Sequence, residues 1–217
     1  MITLCNIADV SAASLARQVA EILEKRFSPA QVPQVTPTAG GPPNWLTGSE
    51  RLYWSPETDR IFSIAARRGA LEYVEDNEKV ELVPTSADHW QSRDRSFTIA
   101  LRGAANEIEI SSTGGDPVAF QPVDRWSPTL SELAPYAGSY WCRELESTYT
   151  IRITGGRAEL VTRYGRTDRL DPVFPRAFRS DLAGLIRFSR GGDRASGFEV
   201  LSGRTRLFFR LQGAASP

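Results

Sequence analysis

The 217 residues are 41% hydrophobic, 10% aromatic and 24% charged, with 26 basic side chains against 26 acidic ones. Such a balance belongs to an ordinary globular chain of about two modest domains. No apolar run approaches the roughly 18 residues of a membrane span, and the first residues lack the charged start and apolar core of a signal peptide, so no membrane partner is expected.

From the N-terminus, Ile2 to Asn6 reads as a short apolar strand, and Asp9 or Ser11 can cap a helix running to about Arg26. Leu15, Val19, Ile22 and Leu23 recur at helical spacing. Each large side chain of that stripe costs about 1.5–3 kcal/mol if left in water, so the helix needs a partner, either a neighbouring barrel or a second copy of the chain. Ser28 to Pro43 carries five prolines and the Gly40-Gly41 pair, which reads as an extended linker. Residues 1–28 and 29–44 are thereby set apart from the remainder of the chain.

After the linker the period changes to two. Phe62 and Ile64, Leu71 and Tyr73, Val80 and Leu82, Phe97 with Ile99 and Leu101, Ile108 and Ile110, and Val118 and Phe120 alternate with polar or small residues. Glycines and Asn77 punctuate them. A second series comprises Tyr149, Ile151 and Ile153, Leu160, Ile186 and Phe188, Phe198 and Val200, and Leu207, Phe209 and Leu211. The two series begin alike: Trp45-Leu46-Thr47-Gly48 before Tyr53-Trp54 parallels Tyr136-Ala137-Gly138 before Tyr140-Trp141. The fold is therefore expected to be mainly β, two tandem antiparallel up-and-down barrels over 45–126 and 127–217, preceded by one short strand and one α-helix. Closure removes the sticky edges that an open meander would leave.

Neutrality hides an asymmetry. Residues 1–134 hold 12 basic and 18 acidic side chains, and residues 135–217 hold 14 and 8. Opposite fields of this size can steer one module onto another. Only Lys25 and Lys79 are lysines, and both sit in acidic, exposed stretches. The second-half arginines, Arg163, Arg166, Arg169, Arg176, Arg179, Arg187 and Arg190, fall at spacings that mark an outward strand face, and nucleic acid is not an expected partner.

Chemistry-bearing residues are sparse. One histidine, His89, and two distant cysteines, Cys5 and Cys142, make no metal-ligand pattern, and neither a metal nor a cofactor is expected. The acidic pairs Glu144/Glu146 and Asp168/Asp171 read as turn-flanking residues, and the Gly-Gly pairs at 114, 155 and 191 as hairpin turns rather than phosphate cradles. The aromatics are more informative. Trp45, Trp54, Trp90, Trp126 and Trp141, with Tyr53, Tyr136 and Tyr140, cluster at the start of each barrel and at the junction, where they can plug an end or dock a neighbour.

Residues 2–23, with Leu4-Cys5-Asn6, Ala8-Asp9 and the Ala-rich run from Ala13 to Leu23, resemble the last strand and helix of the serine β-lactamase-like catalytic domain. Tyr136-Ala-Gly-Ser-Tyr140, Tyr149 to Thr154, Gly197-Phe198 and Gly203-Arg204 resemble the C-terminal barrels of its D-aminopeptidase branch. The resemblance implies the C-terminal part of a larger hydrolase. The nucleophilic machinery of that family, a Ser with a Lys three residues on, a Tyr-x-Asn element and a His- or Lys-x-Gly strand, has no match in this chain: His89 is followed by Trp90 and Gln91.

The expectation is thus a chain without catalysis of its own: two lipocalin-like barrels that pack on the catalytic domain of a parent hydrolase and restrict substrate access. Trp45, Trp54, Trp126, Tyr140, Trp141, Leu15, Val19 and Ile22 are the candidate contact residues. By position, the hairpin Tyr164–Arg169 or the stretch Phe174–Leu182 would be the loop that reaches an active site. The alternative is a lipocalin-like protein holding a small apolar ligand within one barrel. The cytoplasm is preferred over the periplasm.

Overall fold

The computed structural model describes residues 46, 50–67, 70–76, 78–102, 106–112, 114–202 and 205–213. The strand and helix expected in 1–28 and the linker 29–44, with Cys5, Leu15, Val19, Ile22, Lys25 and Trp45, lie outside the described residues.

Alternation of apolar and polar side chains makes each strand one-faced, and among the described residues sixteen such strands close into two barrels. The first comprises β1 (Glu50–Trp54), β2 (Ile61–Arg67), β3 (Ala70–Glu75), β4 (Glu78–Pro84), β5 (His89–Ser92), β6 (Phe97–Arg102), β7 (Glu107–Ser112) and β8 (Val118–Val123). Each pairs antiparallel with the next, and β1 closes on β8 with Leu52 opposite Val123. The second comprises β9 (Gly138–Cys142), β10 (Ser147–Thr154), β11 (Arg157–Val161), β12 (Thr167–Phe174), β13 (Ala177–Ser180), β14 (Gly184–Gly191), β15 (Arg194–Ser202) and β16 (Thr205–Leu211). It closes where Phe209 of β16 meets Cys142 of β9.

The interiors are filled by the inward set. Phe62, Ile64, Leu71, Tyr73, Leu82, Ile99, Ile108, Ile110 and Phe120 are buried in the first barrel, and Ile151, Leu160, Ile186, Phe188, Phe198, Val200 and Phe209 in the second. Ring contacts run through both: Phe62 meets Tyr73 at 4.6 Å and Phe120 at 4.8 Å, and Phe198 stacks on Phe209 at 4.5 Å. Polar partners on the same strands face out and pair across neighbours, as Arg102 with Glu109 at 2.7 Å. The turn at Gly155-Gly156 needs two left-handed residues in succession, φ 57° and 77°, the geometry of a two-residue hairpin between Thr154 and Arg157.

Short strands escape the alternation. β5 has four residues, of which Trp90 enters the first core and His89 stays outside. Asp168 and Asp171 stand within β12 rather than beside turns. Asp168 is there because its carboxylate accepts from the Ser180 hydroxyl and, at 3.1 Å, from the Leu182 N–H, holding the turn after β13.

The repeated opening is visible in the structure. Tyr53 and Tyr140, equivalent in the two copies, are both fully buried, while Trp54 and Trp141 point outward. Leu46 plugs the first barrel. The second is plugged from the connection: Thr129 and Glu132 form a reciprocal cap on the short helix α1 (Leu130–Leu133), whose Leu133 is buried, and Tyr136 sits just beyond it in a 3₁₀ turn. Trp126 packs edge-on against Tyr136 and Phe178 at 6.1 and 5.6 Å.

Candidate functional site

Both barrels belong to one unit, and the chemistry of the chain concentrates where they meet. Outward side chains of the first barrel, Leu52, Trp54 and Ile61, are buried against Phe174, Ala177 and Leu185 of the second, with Val123 and Val173 packed alongside. The Trp54 and Phe174 rings lie 5.2 Å apart, and the Trp126 N–H donates to the Val173 carbonyl at 3.2 Å. These are apolar positions on the faces that alternation assigns to solvent. The second barrel supplies their cover.

Charge sits within this seam. Asp59, in the β1–β2 turn with φ 55°, is held in a left-handed conformation that Asp tolerates better than most residues, and its side chain is 6% exposed. Its carboxylate accepts from the Trp54 indole N–H at 3.2 Å and from Arg206 of β16 at 2.8 Å, and lies 3.1 Å from Nε of Arg187 on β14. That last pair lacks hydrogen-bond alignment, so it is an ionic contact. Arg187 also pairs with Glu199 of β15, directly opposite it in the sheet, and its guanidinium lies 4.9 Å from the Trp54 ring. Arg206 donates further to the Pro56 and Glu57 carbonyls at 2.6 and 3.3 Å. Two carboxylates thus neutralise two guanidinium groups; the Pro56 and Glu57 carbonyls take further donors of Arg206, and Arg187 Nε is left without an aligned acceptor. The pairing of charges offsets the electrostatic cost of their burial.

Two clefts flank the seam. One, of about 380 Å³, is lined by Asp59, Arg60, Glu75, Asp76, Arg179 and Asp181, among others. Four of its charges are paired across it: Arg60 binds Glu75 at 2.7 Å and the Tyr73 hydroxyl at 3.0 Å, and Arg179 crosses from the second barrel to Asp76 at 2.5 Å. Hydrogen bonding to Glu75 raises the Arg60 pKa above its already high value, and burial together with Glu75 does the same to the Tyr73 phenol. The other, of about 330 Å³, is lined by Trp54, Phe174, Arg176, Arg187, Arg190 and Glu199 with their neighbours.

The candidates from sequence separate into three groups. Trp54 is a contact residue, covered by the second barrel, and Trp126 is a plug; Tyr140 is sealed in the second core, where its hydroxyl donates to the Tyr136 carbonyl at 2.7 Å. Trp141 remains 39% exposed. Cys142 is buried, its thiol pKa pushed up by burial, and its Sγ donates to Glu144 at 3.3 Å. Glu144 and Glu146 lie in an exposed turn, and Lys79 is exposed. Arg169, Arg179 and Arg190 are exposed on strands, Arg163, Arg166 and Arg176 are exposed in the connections between strands rather than on a strand face, and Arg187 turns into the seam.

Ser86, Asp88 and His89 form a tight exposed group that invites a triad reading. Both the Ser86 hydroxyl, at 3.1 Å, and the Asp88 carboxylate, at 2.7 Å, meet the same nitrogen, His89 Nδ1. A relay needs the acid and the nucleophile on opposite nitrogens, so this group is a turn clasp. The hydrogen bond from His89 lowers the Asp88 pKa. Among the described residues no group of three or more His, Cys, Asp and Glu could hold a metal ion.

Comparison of the chain with known protein families and with curated proteins finds no match to any family model or to any curated sequence.

Proposed function

We propose that the two barrels act as a non-catalytic accessory module, a rigid double barrel that docks on another domain through the outer wall of the second barrel. One observation carries this. In the first copy the outward tryptophan, Trp54, is covered by a barrel; in the second copy its equivalent, Trp141, is open, and Leu145 and Phe208 near it are 40% and 52% exposed. Arg210 of β16 faces Trp141 across the ladder, so Phe208 falls on the diagonal, and Leu145 lies in the turn that continues β9. Large apolar side chains grouped at one end of a wall are the mark of a contact surface.

The partner proposed is a serine β-lactamase-like hydrolase domain, on the strength of the resemblance in residues 2–23. The module would stabilise that domain and narrow its substrate range. The lipocalin-like alternative gains no support from interiors filled by Tyr53, Phe62, Phe120, Tyr140, Phe178 and Phe198. The test reads the coding DNA upstream of codon 1 for an in-frame Ser-x-x-Lys segment. In the encoded protein it then compares the double variant Trp141→Glu/Phe208→Glu with wild type, over a series of peptide and ester substrates. A lowered melting temperature and a broadened substrate profile are expected. An absent segment, or an unchanged profile and stability, would overturn the proposal.

A further inference from the structure

The open wall of the second barrel has an uncharged centre. Trp141 of β9 stands opposite Thr148 of β10, and Ser139, on the same face, stands opposite Thr150, which faces Val161 of β11 in turn. The Ser139 and Thr150 hydroxyls hydrogen-bond at 3.3 Å, while the alternate residues Tyr140 and Ile151 turn into the core. Small neutral side chains thus continue the surface that Trp141, Phe208 and Leu145 begin. A contact surface depleted of charge at its centre carries its charges at the rim, and their sign selects the partner.

The internal repeat indicates that sign. In the first copy the wall around Trp54 is held by carboxylates on two turns, Asp59 between β1 and β2 and Asp76 between β3 and β4, and the cover answers with Arg187, Arg206 and Arg179. The corresponding turns of the second copy lie between β9 and β10 and between β11 and β12. The first holds Arg143 with Glu144 and Glu146, and the second, Thr162-Arg163-Tyr164-Gly165-Arg166, holds two arginines and no acid. From Gly138 to Arg166 there are five arginines against three glutamates, Arg210 beside Trp141 adds a sixth, and none of the six makes an ion pair among the described residues. Where the first copy presents Asp76, the second presents Arg163 and Arg166.

We propose that the partner covering this wall is a protein surface with an apolar middle and carboxylates at its edge, the charge-reversed counterpart of the seam. The inference rests on the reading that the wall docks another domain, and it specifies that domain's contact face. Trp141 and Phe208 enter the middle, and Arg163, Arg166 and Arg210 take carboxylates, as Arg179 and Arg206 do within the chain. A second copy does not supply such a face in the same mode: the face that covers Trp54 carries Arg179, Arg187 and Arg206 and is occupied.

Titration of the intact chain, followed by its amide resonances, tests this with short peptides that share an apolar centre and carry glutamates or lysines at both ends, and with a single-stranded thymidine oligonucleotide. The glutamate peptide is expected to shift Trp141, Thr148 and Thr150 and to saturate below about 1 mM, about tenfold tighter than the lysine peptide. Its binding is expected to weaken about tenfold between about 20 mM and about 300 mM salt. The double variant Arg163→Glu/Arg166→Glu is expected to lose the preference with an unchanged melting temperature, since both side chains are exposed. Neither peptide saturating, or both binding equally, overturns the proposal. So does an oligonucleotide that binds more tightly than the glutamate peptide, or a dimer that the chain alone forms through Trp141. The two failures are distinct: an absent Ser-x-x-Lys segment removes the hydrolase without altering peptide binding, and a lost peptide preference removes the acidic face without altering the coding DNA.

Discussion

Replacing Asp59 by Asn removes one charge from the seam and little else. Asn has the same shape, tolerates the left-handed backbone and can still accept from the Trp54 indole, so the change isolates the ion pairs with Arg187 and Arg206. Breaking a buried pair by removing one partner costs about 3–5 kcal/mol, because the surviving charge is left without its counter-ion. Here Glu199 still pairs with Arg187 and lies 3.9 Å from Arg206, which places the loss at about 3 kcal/mol, the lower end. For a folded unit of this size that is a fall of roughly 6–12 °C in melting temperature. Urea unfolding monitored by tryptophan fluorescence measures it, and a cycle with Arg206→Gln separates the pair from its surroundings, with a coupling of about 2 kcal/mol expected. A loss under about 1 kcal/mol, the worth of an exposed pair, would refute the claim that the seam excludes water around Asp59.

The third cross-barrel pair behaves differently. Asp76→Asn, which breaks the contact with Arg179 between side chains 73% and 44% exposed, is expected to cost at most about 0.5 kcal/mol in the same assay. Gly197→Ala is expected to destabilise by about 2 kcal/mol or more, since a Cβ there would lie 2.4 Å from the backbone carbonyl oxygen of Phe209. Gly138→Ala, which meets only the end of the Leu211 side chain at 2.5 Å, is expected to cost less, and thermal melts rank the two. Burial raises the Tyr140 phenol to about 12, against about 10 in an unfolded chain. Its contribution to stability is therefore complete below pH 10 and lost as pH rises through 12, so tyrosinate absorbance and unfolding should advance together over that window.

Much of the fold was legible because alternation is a local signal. Phe62 and Ile64, or Ile108 and Ile110, stand two apart, and a strand with one apolar face must put them inside. The repeated Tyr-Trp pairs disclosed the duplication, and closure came from the cost of free edges. Where alternation failed, the reading failed with it. β5 offers only Trp90 among His, Gln and Ser, and β12 puts Arg169 and Asp171 on its outer face but a charged Asp168 on the side of Leu170, so Asp168 and Asp171 looked like turn residues. The Thr129-x-x-Glu132 cap was a usable local sign of α1.

The seam was not legible for a physical reason. Asp59 and Arg206 are 147 positions apart, and Arg187 carries the same strand-face pattern as the solvated arginines around it. Nothing local distinguishes an outward Trp54 that another barrel will cover from an outward Trp141 that stays open. Side chains brought together by docking two closed surfaces leave their pattern in neither surface alone.

Two self-filled barrels are locked into one body through Asp59, Trp54 and Phe174. Amide residual dipolar couplings, measured in one alignment medium and fitted separately for 50–123 and 138–211, test this most directly. A single alignment tensor, equal in magnitude and orientation for both barrels, is the predicted result. Two distinct tensors would mean that the barrels move independently and that the seam does not hold them.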